Sequence, residues 1–123
     1  MQEKAPRKTP RRVTGDHFED AARSFLEHRG LRFVRANFLC RLGELDLVMR
    51  DGEVLVFVEV RYRRSAAFGG ALGSITARKR QRIISAAQVW MRANPWDAQR
   101  PCRFDVVAFE GDDVEWIRAA FDA

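Results

Sequence analysis

The sequence predicts a single α/β (α+β) domain, a mixed β-sheet flanked by helices, with the element order α-β-β-β-α-β-β. Two stretches have apolar residues at helical spacing, and short apolar runs between turn signals account for the strands. The chain has 123 residues, the size of one domain. No apolar run approaches the roughly 20 residues of a membrane-spanning helix, which excludes that class of protein.

The first thirteen residues are basic and lack apolar periodicity. Their five basic residues and Glu3 give a net charge of +4, most of the chain's +5. We expect residues 1–13 to be a disordered tail and residues 14–123 to form the domain. This segment lacks the apolar core of a secretory signal, and Cys40 and Cys102 stand in no metal-finger spacing. We therefore expect a cytoplasmic protein with reduced thiols, although sequence leaves a disulfide between the two cysteines open.

The first helix is predicted over residues 16–29. Gly30 suits the left-handed position that follows many helices. A strand is expected next, over residues 32–38. The apolar residues that repeat at helical spacing are Phe18, Ala21, Ala22, Phe25 and Leu26.

Two apolar runs, LDLVM and VLVFVEV, flank Asp51-Gly52, a dipeptide typical of a two-residue hairpin turn. The second run is almost continuously apolar, as expected of a central strand covered on both faces. The runs RFDVVAF and DVEWI predict two further strands joined by EGDD, and we expect a short helical turn at the C-terminus.

The second helix is predicted over residues 76–93, after the Gly-rich loop FGGALGS. Ser74 or Thr76 suits its N-cap, and Asn94-Pro95 suits its end. Tyr62 is expected in the core rather than stacked on a nucleic-acid base. The residues predicted to face the sheet are Ile83, Ala87, Trp90 and Met91.

Three carboxylates lie within the predicted hairpin. With the turn described above, Glu44 faces Glu59 and Asp46 faces Phe57, and the acids share one side of the sheet with Arg61. Like charges placed opposite each other destabilise a sheet, and burial increases the penalty. A Mg²⁺ ion would resolve the conflict, because it prefers oxygen ligands and needs only one or two carboxylates.

The acids also have structural interpretations. Glu44 and Glu59 can form salt bridges at the strand end with Arg61, Arg63 or Arg64, and exposed pairs of this kind contribute little to stability. Glu19, on the first helix, either points at the same site or completes a capping box with an N-cap at residue 16.

The blocks GELDLV and VFVEVRYR resemble the PD-(D/E)xK nuclease motif. Together with GDHFEDAARSFL, the region of Lys79 and CRFDVVAF, they look like the YraN family of small bacterial proteins, which is described as endonuclease-like and distantly similar to archaeal Holliday junction resolvases. The similarity extends over nearly all of residues 15–121. It implies a restriction-endonuclease-like fold and an endonuclease that uses Mg²⁺ or Mn²⁺ to hydrolyse phosphodiester bonds in branched DNA.

The resemblance also assigns residues by position. Asp46 and Glu59 would bind the metal, Glu44 belongs to the same block as a further ligand, Glu19 would be the helix acid, and Arg61 takes the motif's lysine position. Arginine stays protonated and presents a planar fork, so it can hold a phosphate oxygen but cannot accept a proton. Lys79 is a candidate substitute, provided that it folds back over the site.

DNA binding is expected from a basic region next to the acids. Nothing in the region suggests reading of base edges, so we expect shape-dependent, salt-sensitive and sequence-nonspecific binding. Because resolvases cut two strands symmetrically, the resemblance suggests a homodimer; no membrane and no small-molecule cofactor are expected. The alternatives are a non-catalytic nucleic-acid-binding module, favoured by the arginine in the motif, and a structural protein with salt-bridged acids. The expected phosphate contacts are Arg63, Arg64, Arg78, Lys79, Arg80 and Arg82.

Overall fold

The computed structural model of the chain describes residues 10–63 and 75–123, and it describes side chains for residues 17–62 and 75–123. Its strands form one sheet in the order β1-β2-β3-β4-β5. The elements are α1 (Pro10–Glu27), β1 (Arg32–Cys40), β2 (Gly43–Asp51), β3 (Val54–Arg63), α2 (Ala77–Ala93), a 3-10 turn (Asp97–Gln99), β4 (Cys102–Glu110) and β5 (Asp113–Phe121). This mixed sheet with flanking helices confirms the predicted α+β fold and element order.

Strands β3 and β4 run parallel, and every other neighbouring pair is antiparallel. A parallel pair needs a long crossover, and the chain that includes α2 provides it. The two helices pack on opposite faces of the sheet: α2 covers a core that contains Val48 and Phe57, and α1 covers a core that contains Met49 and Val58. The alternation of β2 and β3 residues between these cores explains why both strands are so apolar.

Helix α1 begins six residues before its predicted start. Pro10 occupies its first position, where a missing N–H is tolerated. Residues 10–13 of the predicted tail therefore belong to the helix, whereas residues 1–9 lie outside the described residues. Asp16 is inside the helix rather than at its N-cap, so the capping-box interpretation of Glu19 is wrong. Gly30 has the expected left-handed φ of 93°.

The hairpin turn differs from the prediction by one residue. Asp51 pairs with Val54, so the turn residues are Gly52 and Glu53 rather than Asp51 and Gly52. Gly52 has φ 61°, the positive value that a type II′ turn requires at its first central position. The predicted pairing of Glu44 with Glu59 is therefore wrong.

The predicted pairing of Asp46 with Phe57 is wrong for the same reason, because Phe57 pairs with Val48. The last paired residues of β2 and β3 are Leu47 and Val58, and the next step of this register brings Asp46 opposite Glu59.

Helix α2 follows its prediction closely. The Thr76 hydroxyl accepts a hydrogen bond from the Lys79 amide at 3.1 Å, which makes Thr76 the N-cap, and Asn94 ends the helix. The predicted inner face is buried or packed against the core. Tyr62 differs: it is 43% exposed and stacks on Phe18 with 4.2 Å between ring centroids. The FGGALGS loop lies outside the described residues.

Other sequence expectations concern the chain end and the thiols. Strand β5 continues to Phe121, so the predicted C-terminal helical turn is wrong. Cys40 and Cys102 are free thiols. Cys40 donates to the Gly43 carbonyl at 3.4 Å, and partial burial raises the pKa of Cys102.

Within the described residues, no helix is long and apolar enough to cross a membrane.

Gly43, at the start of β2, lies against the backbone of α2. A Cβ at this position would overlap the main-chain carbonyl of Arg82, which cannot rotate away as a side chain could. Gly43→Ala is therefore expected to separate β2 from α2 and to lower the free energy of unfolding by about 1–3 kcal/mol. Urea denaturation would measure this. Gly111→Ala is a control for the loss of a glycine, because its Cβ would meet no atom within 4 Å and only its positive φ is unfavourable. An equal loss in the two variants would contradict the proposed clash.

Candidate functional site

The candidate acids lie where β2 and β3 separate. Beyond the Leu47 and Val58 pair, the Val60 amide donates to Asp46 Oδ2 at 2.9 Å instead of to a backbone carbonyl of β2. Strand β3 continues to pair with β4 as far as Arg63. The acids thus lie partway along β2 and β3, where β3 has lost its pairing with β2 but keeps its pairing with β4.

A local rotation of the chain directs Asp46 toward β3. Leu45 and Leu47 are two residues apart and would share a face in a regular strand, but Leu45 packs on the α2 side and Leu47 on the α1 side. On neighbouring β1, Asn37 has a positive φ of 53°. Irregular strands of this kind re-aim a side chain and occur near active sites.

Glu59 is almost completely buried, with 4% of its surface exposed. Its Oε1 atom contacts two cations: Arg61 Nη1 at 3.4 Å and Lys79 Nζ at 3.3 Å. Arg61 comes from the same strand, whereas Lys79 comes from the first turn of α2. The fold therefore places Lys79 over the site, as the sequence prediction required of a lysine substitute.

Burial and neighbouring charge raise the pKa of Asp46. Burial has the largest effect, followed by the charge of Glu59; a hydrogen bond with the Glu59 side chain and the charge of Glu44 act in the same direction. The hydrogen bond from the Val60 amide lowers the pKa but does not compensate, so it stays well above the ordinary value of 3.8. Asp46 and Glu59 thus form a carboxylate pair whose negative charges oppose each other.

Glu44 lies beside the pair, at the edge of a cavity of about 200 Å³ next to the N-terminus of α2. It is exposed, unlike Glu59. Three of the five other residues that line the cavity are basic. The other residues that line the cavity are Thr76, Arg78, Lys79, Arg82 and Ile83.

Glu19 lies on α1, which packs on the face of the sheet opposite α2. It is partly buried, and its neighbour Phe18 stacks on Tyr62 at the end of β3. Within residues 17–62 and 75–123, no three carboxylate, imidazole or thiol groups are placed to hold a metal ion together. The metal ligands that the arrangement offers are therefore the two members of the pair, Asp46 and Glu59, which is enough for an ion that retains waters.

The predicted phosphate-contacting residues are only partly described. Arg78, Arg80 and Arg82 are exposed on α2, and Lys79 is partly exposed. The side chain of Arg63 and the whole of residue 64 lie outside the described residues. One observation agrees with the alternative in which the acids only form salt bridges, since Arg61 contacts Glu59. That alternative does not account for Asp46, which has no ion pair among the described side chains.

The sequence interpretation missed two buried acids. Asp105 on β4 is fully buried and accepts hydrogen bonds from Arg103, Trp116 and the Ala119 amide. Asp97 is 3% exposed. A single acid inside an apolar run, as in RFDVVAF, was the available signal, because buried charges are almost always paired.

Asp97 fixes the end of α2 to the sheet. Its Oδ1 accepts from Arg50 Nη2 at 2.8 Å, and its Oδ2 accepts from Trp90 Nε1 at 3.2 Å. Both buried acids outside the candidate site are therefore saturated by donors, which indicates structural roles.

Sequence comparison identifies relatives over most of the chain. Residues 18–109 match the family described as "Uncharacterised protein family UPF0102". A UPF0102 protein of Klebsiella pneumoniae is 54% identical over 109 residues, which cover 88% of this chain and 85% of the relative. The UPF0102 protein YraN of Escherichia fergusonii is 51% identical over 119 residues, covering 96% and 91%. A UPF0102 protein of Yersinia enterocolitica is 51% identical over 113 residues, covering 91% and 97%.

Proposed function

The chain belongs to the UPF0102 (YraN) family, and we propose that it is a DNA endonuclease that uses Mg²⁺ or Mn²⁺ to hydrolyse phosphodiester bonds. The observation that carries the proposal is the pair formed by partly buried Asp46 and buried Glu59, where β2 and β3 separate. Two close carboxylates, of which Glu59 raises the pKa of Asp46, form an unfavourable arrangement in a stable fold, and a bound divalent cation would make it favourable.

The two acids of the pair have different neighbours, a backbone amide for Asp46 and a guanidinium for Glu59. The Val60 amide fixes Asp46 Oδ2 at 2.9 Å, and Arg61 lies 3.4 Å from Glu59 Oε1. In the proposed complex, Asp46 and Glu59 hold the cation, and Arg61 turns to a phosphate oxygen. When bound, the cation supplies positive charge that offsets the charge developing on the phosphate and leaving oxygens.

The overall reaction adds water across one phosphodiester bond. The water oxygen joins phosphorus, the bond between phosphorus and one sugar oxygen breaks, and the water's protons leave to the medium and to that sugar oxygen. The resemblance to Holliday junction resolvases makes branched DNA the proposed substrate, and a homodimer the proposed assembly for cutting two strands.

Contacts to DNA are proposed along α2. Arg78, Arg80 and Arg82 are exposed there and would contact phosphates. The first amides of α2 add donors and positive dipole charge for the same anion. Binding that depends on phosphate contacts should weaken steeply with salt and be insensitive to base sequence.

A second candidate function is a non-catalytic DNA-binding module. The two cations on Glu59 favour it, because they neutralise the acid without any metal. The arginine in the motif's lysine position favours it as well.

Cleavage assays with four-way junctions and linear duplexes would separate the two candidates. The endonuclease proposal expects cleavage that requires Mg²⁺ or Mn²⁺ and is lost in both Asp46→Asn and Glu59→Gln. Salt-sensitive binding without cleavage at any metal concentration would instead support the module. Asp113→Asn, an exposed acid at the start of β5, is a matched control and should cleave like the wild type. Cleavage that persists in both pair variants would overturn the proposed site.

A further inference from the structure

Lysine is nearly absent from the folded part of this protein. The chain has 22 basic residues other than histidine, and its lysines are Lys4, Lys8 and Lys79. Apart from Lys79, every lysine or arginine position after residue 8 is an arginine. The one lysine of the domain is therefore the residue whose ammonium contacts Glu59.

Lys79 and Arg61 share one acceptor atom. Lys79 Nζ lies 3.3 Å and Arg61 Nη1 lies 3.4 Å from Glu59 Oε1. Their side chains differ in exposure, 38% for Lys79 and 23% for Arg61. Lys79 also lines the cavity beside Glu44, so its ammonium has adjoining space into which it can move.

The two cations also differ chemically. An ammonium is a compact charge with three rotatable donors on a flexible stem, whereas a guanidinium is a rigid planar fork. The Lys79 main chain is fixed, since its amide donates to the Thr76 hydroxyl at 3.1 Å. The helix start thus holds the base of the side chain while its end can reach either the carboxylate or a ligand in the cavity.

We propose that Lys79, from α2, takes the part that the motif assigns to a lysine on β3. In the metal-free protein its ammonium neutralises Glu59. When a divalent cation binds Glu59, the ammonium leaves this carboxylate and contacts a non-bridging oxygen of the phosphodiester. The inference rests on the proposed function for its substrate, but the exchange at Glu59 involves only the protein and the metal.

Electrostatics favour this movement. A divalent cation on Glu59 would repel an ammonium 3.3 Å from the same oxygen, and the repulsion is strong where the carboxylate is buried. A scissile phosphate brings new negative charge to the same region. Lys79 therefore exchanges one anionic partner for another and offsets charge on the phosphate as hydrolysis proceeds.

Nuclear magnetic resonance of lysines methylated with ¹³C would test the exchange without any cleavage assay. Methylation retains the charge, and the chain gives only three lysine signals beside its terminal amine. Lys79→Arg would identify the Lys79 signal. On addition of Mg²⁺, this signal is expected to shift and saturate in parallel with Mg²⁺ binding measured by calorimetry, and the shift should vanish in Glu59→Gln.

The outcomes separate this inference from the proposed function. Mg²⁺ binding that leaves the Lys79 signal unchanged overturns the inference and leaves the metal site intact. Absence of Mg²⁺ binding overturns both. A shifting Lys79 signal in a protein that cleaves no DNA supports the exchange at Glu59 and counts against the endonuclease.

Paired variants would test the role of Lys79 in cleavage. Lys79→Met and Arg61→Met each remove one cation from the same Glu59 oxygen. Lys79→Met is expected to reduce cleavage about 100-fold while Mg²⁺ binding is retained or tightened, and Arg61→Met should reduce it less. An equal or larger loss in Arg61→Met would overturn the assignment of the role to Lys79.

Discussion

Asp105→Asn is expected to lower the free energy of unfolding by about 2–4 kcal/mol, because it removes a fully buried carboxylate that is the shared acceptor of partly exposed Arg103 and two further donors. Asp105 is fully buried. Arg103 Nε lies 3.0 and 3.2 Å from its two oxygens, Trp116 Nε1 donates at 2.9 Å, and the Ala119 amide donates at 3.0 Å. An asparagine would place an NH₂ group against at least one of these donors.

Asp51→Asn is the matched control for that variant. Asp51 Oδ2 contacts Nη2 of the same Arg103 at 2.8 Å, but its side chain is 37% exposed. Exposed pairs contribute about 0–1 kcal/mol, so the control should be nearly neutral. Urea denaturation of both variants at pH 7 would measure the difference. Two losses within 1 kcal/mol of each other would show that burial of Asp105 does not govern the effect.

The Asp105 network also holds a strained segment of β5. Ala119 has a positive φ of 48°, which is unfavourable for a residue with a Cβ, and its amide donates to Asp105. The pairing of β4 and β5 shifts register between Phe104 and Val106, next to this acid. Asp105 therefore stabilises an irregular edge of the sheet on the far side of β4 from β3.

The hydrogen-bond partners of the acids distinguish those with a structural role from those of the candidate site. Asp105 and Asp97 receive donors on both oxygens, from guanidinium, indole or amide groups. Asp46 instead has another carboxylate as a close neighbour, and its pKa is raised. Evolved folds accept such an unfavourable arrangement mainly at functional sites, which is why the pair and not the better-bonded acids carries the proposed function.

The sequence predicted the fold well because its signals were local. Apolar spacing predicted both helices, and Ser74 or Thr76 was predicted as the α2 N-cap. Asp46, Glu59 and Arg61 were singled out by the predicted hairpin and by their resemblance to the nuclease motif. The predicted hairpin turn between β2 and β3 was wrong by one residue, and this changes which residues of the two strands face each other. Asp51-Gly52 matches a type I′ turn, and Gly52-Glu53 matches a type II′ turn equally well; the choice between them depends on the whole sheet.

Two further features depended on tertiary structure. The contact of Lys79 with Glu59 requires the crossover that returns α2 over the end of β3. The start of α1 at Pro10 was missed because residues 10–15 lack an apolar stripe, and helix formation there follows from extension of the packed helix behind it. Sequence patterns therefore suggested the members of the candidate site, and the tertiary fold determines which of them touch.

Asp46→Asn is expected to stabilise the metal-free protein while removing about a thousandfold of the proposed cleavage activity. The asparagine oxygen can still accept from the Val60 amide, and its NH₂ group can donate to Glu59, so repulsion is replaced by a hydrogen bond. Stabilisation of about 0.5–2 kcal/mol, at a pH above the raised pKa of Asp46, is the usual range for relieving an unfavourable functional site.

The pH dependence of this difference has a definite sign. The pKa of Asp46 in the folded protein is raised above its unfolded value near 3.8. Between these two pKa values, the folded state therefore binds a proton that the unfolded state does not. The contribution of Asp46 to stability falls as pH rises from the unfolded value through the raised pKa. Asp46→Asn should therefore exceed the wild type in stability above the raised pKa, and the advantage should shrink as pH falls toward 3.8.

Mg²⁺ should reverse the order of the two proteins. A cation that binds the pair stabilises the wild type by mass action and leaves Asp46→Asn nearly unchanged. Thermal unfolding across pH, with and without Mg²⁺, would measure both effects. Asp113→Asn, which changes an exposed acid outside the candidate site, is the matched control. A wild type that is more stable than Asp46→Asn without metal at every pH up to 9, or that is unaffected by Mg²⁺, would contradict a carboxylate pair arranged for a cation.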